Sequence, residues 1–341
     1  MRGSSRAIST WTVCAVLAAG VVAGCGKDNG GGGSSGGGGG SVKTGIGVTD
    51  KTISLGLITD LSGIFAPLAI PLVDGTKLYW AKAYAAGGVC GRQVKLIIKD
   101  NGYDVQKAVV QYRAIQPDVA AFQELLGSPM TAALAPKLKS DGTFAMLVSW
   151  ASSLLGQDNL VITGATYDLE QINALSYLMD KGLLKKGDKI GDVYFEGEYG
   201  ENGLKGTQAF AKANGMTVVE QKIQPTDEDM TGQVAALQRA GVKAIAMTTA
   251  PTQFASVAGV AAGSGFNVPI TANNPAYDPA LLASPAAAAV KANVYVGQSA
   301  VAYNSKAPGA VEARKAFEKK YGTKNAKAAV GFGWAQAAQM K

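Results

Sequence analysis

The run TISLGLIT at Thr52–Thr59, a helical stretch from Val73 to Ala86, and a second apolar run, QVKLIIKD at Gln93–Asp100, together decide the fold. TISLGLIT is short and β-rich, and it carries apolar residues on both faces, as a strand covered from two sides does. The helical stretch closes on Gly87-Gly88, and glycine just past the last periodic residue is a helix stop. The rhythm then repeats. Val105 to Gln116 reads as a helix that stops before Pro117, Val119 to Leu126 as a strand, Pro129 to Ser140 as a helix and Phe144 to Trp150 as a strand. Strands separated by helices of about 10–15 residues specify a parallel, doubly wound sheet.

A second series follows. Strands are expected near 189–196 (KIGDVYFE), 217–223 (TVVEQKI), 244–250 (AIAMTTA) and 268–272, with helices near 169–181, 200–214, 231–240 and 252–264. One such sheet rarely needs this many units. The chain is therefore expected to form two α/β lobes, each a doubly wound parallel sheet, joined by a hinge. The ligand cleft lies between them, where the carboxyl ends of both sets of strands face each other. The first lobe is expected from residues 48–166 and 301–341, and the second from 167–300.

The N-terminus reads differently. Arg2 and Arg6 precede an uncharged run from Ala7 to Gly24 that closes on Val22-Ala23-Gly24-Cys25, the layout of a secretory signal peptide over residues 1–24. A cysteine directly after the small pair resembles the lipobox of bacterial lipoproteins, in which the thiol takes a diacylglycerol and becomes the new N-terminus. An ordinary signal peptide with a chance cysteine is the alternative. From Gly30 to Ser41 the chain is only glycine and serine, so residues 25–47 read as a flexible tether. About 20 such residues have an r.m.s. span on the order of 25 Å, enough to let a globular body work near a membrane without lying on it.

Composition narrows the function classes. The chain is 47% hydrophobic and 17% charged, a globular balance, and no apolar stretch after Cys25 is long enough to span a bilayer. Losing Arg2 and Arg6 lowers the formal charge of +7 by two, and the remaining lysines are scattered. No aromatic-basic alternation suggests a nucleic-acid partner. Of the three cysteines, Cys14 leaves with the signal and Cys25 is acylated. Cys90, in the turn Gly87-Gly88-Val89-Cys90-Gly91, then has no partner and reads as structural. Histidine is absent, which removes Ser-His-Asp and Cys-His nucleophile chemistry and His-ligated zinc. No G-x-S-x-G, S-x-x-K or P-loop occurs. The expectation is a binding protein, without enzymatic activity and without cofactor or metal.

Several segments carry a family resemblance: Asp60-Leu61-Ser62-Gly63 after the first strand, Gly87-Gly88-Val89 before the second and Lys99-Asp100-Asn101 ending it. Asp104 to Ala108 (DVQKA) and Tyr199-Gly200-Glu201-Asn202-Gly203 add to them. In their order and spacing they resemble the type I periplasmic binding proteins, in the leucine/isoleucine/valine-binding branch, from about Val48 to the chain end. The resemblance implies the substrate-binding lipoprotein of an ABC importer, extracytoplasmic and monomeric. Two lobes close on an amino acid or related small carboxylate or amide and deliver it to the permease. A sensory module of the same fold, or more distantly an anchored α/β enzyme, is the alternative. Members usually continue past the helix that here reads Ala326 to Met340, so the chain is expected to be C-terminally truncated relative to the family.

Gly127-Ser128-Pro129 follows a strand and opens a helix, with serine as N-cap and proline at the first helical position. Such a helix end offers free N–H groups and positive dipole to a carboxylate, although alone it also reads as a plain cap. The resemblance assigns the family's carboxylate-binding serine to Ser128, and the rest of the clamp to Ala151 (backbone) and Ser153 (hydroxyl). Trp150 stands where the family often has proline, and it reads either as core packing or as a cover for an apolar ligand. Tyr199 matches an aromatic that closes over the ligand, and Leu68 stands near a position often aromatic. Amino-acid-binding relatives carry an acid near Asn274 for the α-ammonium, a charge that Asn274 cannot supply. Asp278, four residues on, takes that place if the alignment is shifted.

The lipobox-like run predicts attachment through Cys25. Replacing it, Cys25→Ser, is expected to release the protein from the membrane fraction or to stall its processing. Unchanged fractionation would sink the lipoprotein reading.

Overall fold

The structure is a computed structural model that describes residues 44–299, 301–323 and 329–341. The signal segment, Cys14, Cys25 and the Gly30–Ser41 run lie outside the described residues.

Five strands make the first sheet: β1 (Thr52–Thr59), β2 (Gln93–Asp100), β3 (Ala121–Leu126), β4 (Ala145–Val148) and β5 (Leu160–Ile162). Their order is β2-β1-β3-β4-β5 and every pairing is parallel. Leu55, Leu57 and Ile58 of β1 are buried, as the apolar run required. Helices α1 (Ala66–Ala85), α2 (Val105–Ile115) and α3 (Ser128–Ser140) provide the crossovers. α1 begins seven residues before the expected start at Val73. Its two prolines explain the difference: Pro67 sits in the first turn, where the missing N–H has no partner to lose, and Pro71 forfeits one helical bond. Cys90 is an exposed free thiol in the turn closed by the Val89–Arg92 bridge.

The second sheet is β6 (Lys189–Phe195), β7 (Thr217–Ile223), β8 (Ala244–Thr248), β9 (Ile270–Ala272) and β10 (Val294–Val296), ordered β10-β9-β8-β6-β7 and again all parallel. It is wrapped by α4 (Tyr167–Asp180), α5 (Glu198–Ala213), α6 (Thr231–Ala240), α7 (Pro251–Gly263) and α8 (Ala287–Asn293). β5 and β10 go beyond the strands the sequence marks: both are three-residue edge strands, half-buried, whereas the equally short but wholly buried β9 falls within the expected 268–272. The chain crosses from the first sheet to α4 through residues 163–166, and leaves β10 at Gly297.

Two further helices, α9 (Pro308–Tyr321) and α10 (Ala329–Met340), return to the first sheet. α10 lies directly on α1. Thr76 Oγ1 donates to the Gly333 carbonyl at 3.2 Å, and Gln336 Nε2 donates to the Leu147 carbonyl at 2.9 Å. The approach depends on absent side chains. A Cβ on Gly333 would stand 1.9 Å from the Leu72 carbonyl oxygen, and one on Gly75 would stand 2.1 Å from that of Val330.

The Gly333→Ala variant should therefore push α1 and α10 apart and lose about 1–3 kcal/mol, a drop of several degrees in melting temperature by calorimetry. Gly331→Ala is the control, since a Cβ there meets nothing within 4 Å. It should be neutral or stabilising by up to about 1 kcal/mol, because alanine is the better helix former. Equal melting of the two variants would refute the close-packing account.

Candidate functional site

The first-lobe wall is built from loops at the carboxyl ends of strands. After β1, the wholly buried Asp60 accepts the N–H groups of Gly63 (2.5 Å) and Phe65 (2.8 Å). That turn seats the Phe65 ring at the head of α1, with Leu68 one turn further on. After β2, Asp100 accepts Leu61 N at 2.8 Å and Ser62 Oγ at 2.6 Å, which ties the two loops together. Asn101 accepts the Tyr103 N–H at 2.8 Å and donates to the Leu126 carbonyl at 3.1 Å. Held this way, Tyr103 adopts φ 59°, a left-handed conformation that a tyrosine rarely takes, and its ring lies 4.9 Å from that of Phe65.

After β3, Gly127 is the N-cap of α3 with φ 103°, so the helix starts one residue earlier than the sequence suggested. Ser128 is the first helical residue, and its hydroxyl makes no capping bond. Instead the buried hydroxyls form a chain. Ser149 Oγ donates to Ser128 Oγ at 2.8 Å, and Ser128 Oγ donates to the Tyr167 hydroxyl at 3.5 Å. The Tyr167 hydrogen is left at the end of this chain. Next to it the first-turn amides of α3 have no intrahelical partner, and Pro129 contributes none.

The second-lobe wall begins at Tyr199, in the first turn of α5 and almost wholly buried. Its hydroxyl lies 2.9 Å from the Thr249 carbonyl and 2.8 Å from Asn273 Oδ1. One phenolic hydrogen cannot serve two acceptors. With the Asn273 amide turned about, Nδ2, otherwise unpaired, donates to the phenol and both bonds are made. Tyr199 packs edge-on to Tyr167 (4.7 Å) and reaches across to Phe65 (5.9 Å). Burial raises the phenols of Tyr103, Tyr167 and Tyr199 above their ordinary range, so all three are neutral donors. Beyond them the Asn274 N–H donates to Glu170 Oε2 at 3.0 Å. Burial pushes the Glu170 carboxyl up to about 7, against that hydrogen bond.

These walls enclose a cleft of about 910 Å³, its mouth included. Among the expected residues, Leu68, Ser128, Trp150, Tyr199 and Asn274 line it, and so does Asp278. Trp150 does both things considered for it: it is buried against Tyr167 (5.9 Å) and Phe332 (5.1 Å), and it forms part of the cleft wall. Ala151 and Ser153 are not brought to the cleft. Ala151 is buried beside the turn Ser152–Leu154, and the exposed Ser153 hydroxyl donates to Glu198 of α5. Its neighbour Ser152 accepts from Asn202 Nδ2 of the same helix at 2.6 Å, so this turn fastens one lobe to the other. Asp278 lines the cleft, but its Oδ1 accepts the Ala280 N–H at 2.6 Å. The structure adds Phe65, Tyr103, Tyr167 and Phe332 to the lining and Ser149 behind it. Only Tyr103 carried a local signal, following Gly102 in a loop that ends a strand. Among the described residues no lysine or arginine lines the cleft, no group of acidic or thiol side chains could hold a metal ion, and no helix is long and apolar enough to cross a membrane.

Comparison with known proteins matches this geometry. A protein titled as the fatty acid ABC transporter substrate-binding protein from Thermomonospora curvata is 42% identical, with 87% of this chain and 76% of that one covered and a TM-score of 0.85. A branched-chain amino acid ABC transporter protein from Thermus thermophilus with bound valine is 16% identical over 86% of this chain and 77% of its own, at TM-score 0.77. An ABC transporter solute binding protein from R. palustris in complex with 4-hydroxybenzoate is 16% identical over 85% and 79%, at TM-score 0.71. These last two share the fold. No curated protein matches the chain. The family profile described as "Periplasmic binding protein" matches residues 52–340, almost the whole described body, and with the two parallel-sheet lobes it shows that this chain belongs to the periplasmic binding proteins, an extracytoplasmic family of substrate-binding proteins.

Proposed function

We propose that this protein is the lipid-anchored solute-binding component of an ABC importer, and that its solute is a small carboxylic acid with an apolar body. The observation that carries the reading is the mixed lining of the cleft. Hydroxyls of Ser128 and Tyr167 meet beside the first turn of α3, and Phe65, Leu68, Leu72, Trp150 and Phe332 supply apolar and aromatic lining around them. A carboxyl group suits the hydroxyls and the helix end, and a hydrocarbon body the rest, at roughly 25 cal/mol per Å² of apolar surface removed from water. The 42% identity to a protein titled as a fatty acid binder supports the same class. On this reading Ser128 and Tyr167 hold the carboxyl, Tyr199 closes over it from the second lobe, and Trp150, Leu68 and Asn274 shape the body of the site. The protein performs no chemistry. It works as a monomer whose partners are the solute, the permease subunits and, through Cys25, the membrane.

Asp278 favours a second reading, an α-amino acid. It is a carboxylate in the cleft wall, and an ammonium buried without a counter-charge costs several kcal/mol. Against it, one Asp278 oxygen is already committed to Ala280, and Asn274 brings no charge.

Calorimetry separates the two. The unmodified protein should bind 4-methylpentanoate more tightly than leucine, and Asn274→Glu should shift preference towards leucine. Tight leucine binding by the unmodified protein would assign Asp278 to the ammonium and overturn the acid reading.

Ser128→Ala should remove the hydroxyl that directs the Tyr167 hydrogen at the ligand. Loss of that ligand bond costs about 1–3 kcal/mol, or roughly 5- to 150-fold in Kd by titration with the same acid. An unchanged Kd would remove Ser128 from the site.

A further inference from the structure

The carboxyl end of the cleft has donors but no positive charge. Its polar groups are the hydroxyls of Ser128, Ser149, Tyr103 and Tyr167 and the first-turn amides of α3, all neutral. The Tyr103 hydroxyl has no hydrogen-bond partner among the described residues. The ionisable side chains around this end bring no positive charge. Asp60 lies wholly buried behind the β1 loop, Asp278 is in the wall itself, and Glu170, 3% exposed on α4 one turn from Tyr167, is pushed up to about 7 by burial and so is only partly ionised at neutral pH. Asp60 acts electrostatically on Tyr103, and Glu170 on Tyr167 and Tyr199. On the β2 side Lys107 is paired with Asp100 at 3.6 Å, and neither it nor Lys99 is in the lining. α1, α3 and α10 contribute no charged residue to the lining.

A carboxylate placed there would lose its water, gain only the partial positive end of α3 against full negative charges, and stand among buried acids. Groups in that situation take up a proton and avoid the full desolvation. We propose that the cleft takes its solute as the uncharged acid, so that binding at neutral pH draws one proton from solvent. This rests on the carboxylic-acid reading of the site and specifies which form of that acid is recognised. The proton remains on the ligand oxygen, where the Asn274 and Gln298 side-chain amides and the Asp278 carboxylate are the acceptors that the lining offers. The other ligand oxygen takes the hydrogens of Tyr167 and Tyr103. A primary amide has the same shape and the same donor and acceptor without the titration, so it is the natural control.

The test is titration calorimetry of the full chain with 4-methylpentanoate and with 4-methylpentanamide between about pH 5.5 and about pH 7.5, in two buffers of different ionisation enthalpy. A free carboxylic acid titrates near about pH 4–5, so its neutral fraction falls about tenfold per pH unit across this range. Affinity for the acid should fall by the same factor, with about one proton taken up per site near neutral pH, while affinity for the amide stays level. Equal acid affinity at both ends of the range with no proton uptake would overturn the proposal and leave the carboxylic-acid reading standing. An amide that follows the acid's slope would also overturn it, assigning the proton to Glu170. Failure of both ligands, and of longer and aromatic acids, would overturn the carboxylic-acid reading and this inference with it.

Discussion

Parallel strand pairing is the constraint from which the rest of the molecule follows. Strands that all run one way need crossovers, and the crossovers deliver every carboxyl end to the same edge of the sheet. The loops after β1, β2, β3 and β4 therefore converge, as do those after β6, β8 and β9. Asp60, Asn101, Gly127 and Ser149 stand in four such loops of the first sheet, and Asn273 stands in one of the second. Two converging edges joined by short crossings make a cleft whatever the side chains are. The side chains decide only what the cleft accepts.

What it accepts depends on how its buried polar groups are satisfied. Ser149, Ser128 and Tyr167 come from the loop after β4, the start of α3 and the start of α4, and their hydroxyls order one another into a single direction of donation. Such a chain presents a donor to the cleft and hides its acceptors, a selection for ligands rich in lone pairs. Glu170 serves a different purpose. It grips the Asn274 amide from α4, and so fixes the far wall relative to the helix that begins where the chain enters the second lobe.

The fold was almost wholly legible in the sequence, because long strands buried on both faces and helices ended by glycine or proline leave periodic marks. The β1, β2 and β6 spans were readable to within about a residue, and the two-lobe arrangement followed from the number of units. The site was less legible. Ser128, Tyr199 and Asn274 stand at element ends, where resemblance could place them, and they do line the cleft. Tyr103, Tyr167 and Phe332 lie far apart in sequence and become neighbours only through the crossings, so no local pattern could group them. Ser153 lies away from the cleft lining for a related reason. A turn after a strand has several outward directions, and here it points to α5, so the hydroxyl binds Glu198 and not the cleft.

Ser153 also shows how the two lobes are held. The contacts that join their outer faces are polar and partly exposed: Ser153 to Glu198, and Ser152 to Asn202. Such bonds exchange for water on opening at a net cost of only about 0.5–1.5 kcal/mol each. They align the lobes without locking them. The inner contacts are aromatic, Phe65 against Tyr199, and they border the space the ligand would fill. On the proposed reading an apolar solute seated there would extend this apolar seam and add burial from both lobes at once, so its binding energy would favour the closed arrangement over an open one. A polar solute of equal size would add little to that difference, since water can replace it. The lining thus sets selectivity twice, first by what fits and then by what can keep the lobes together.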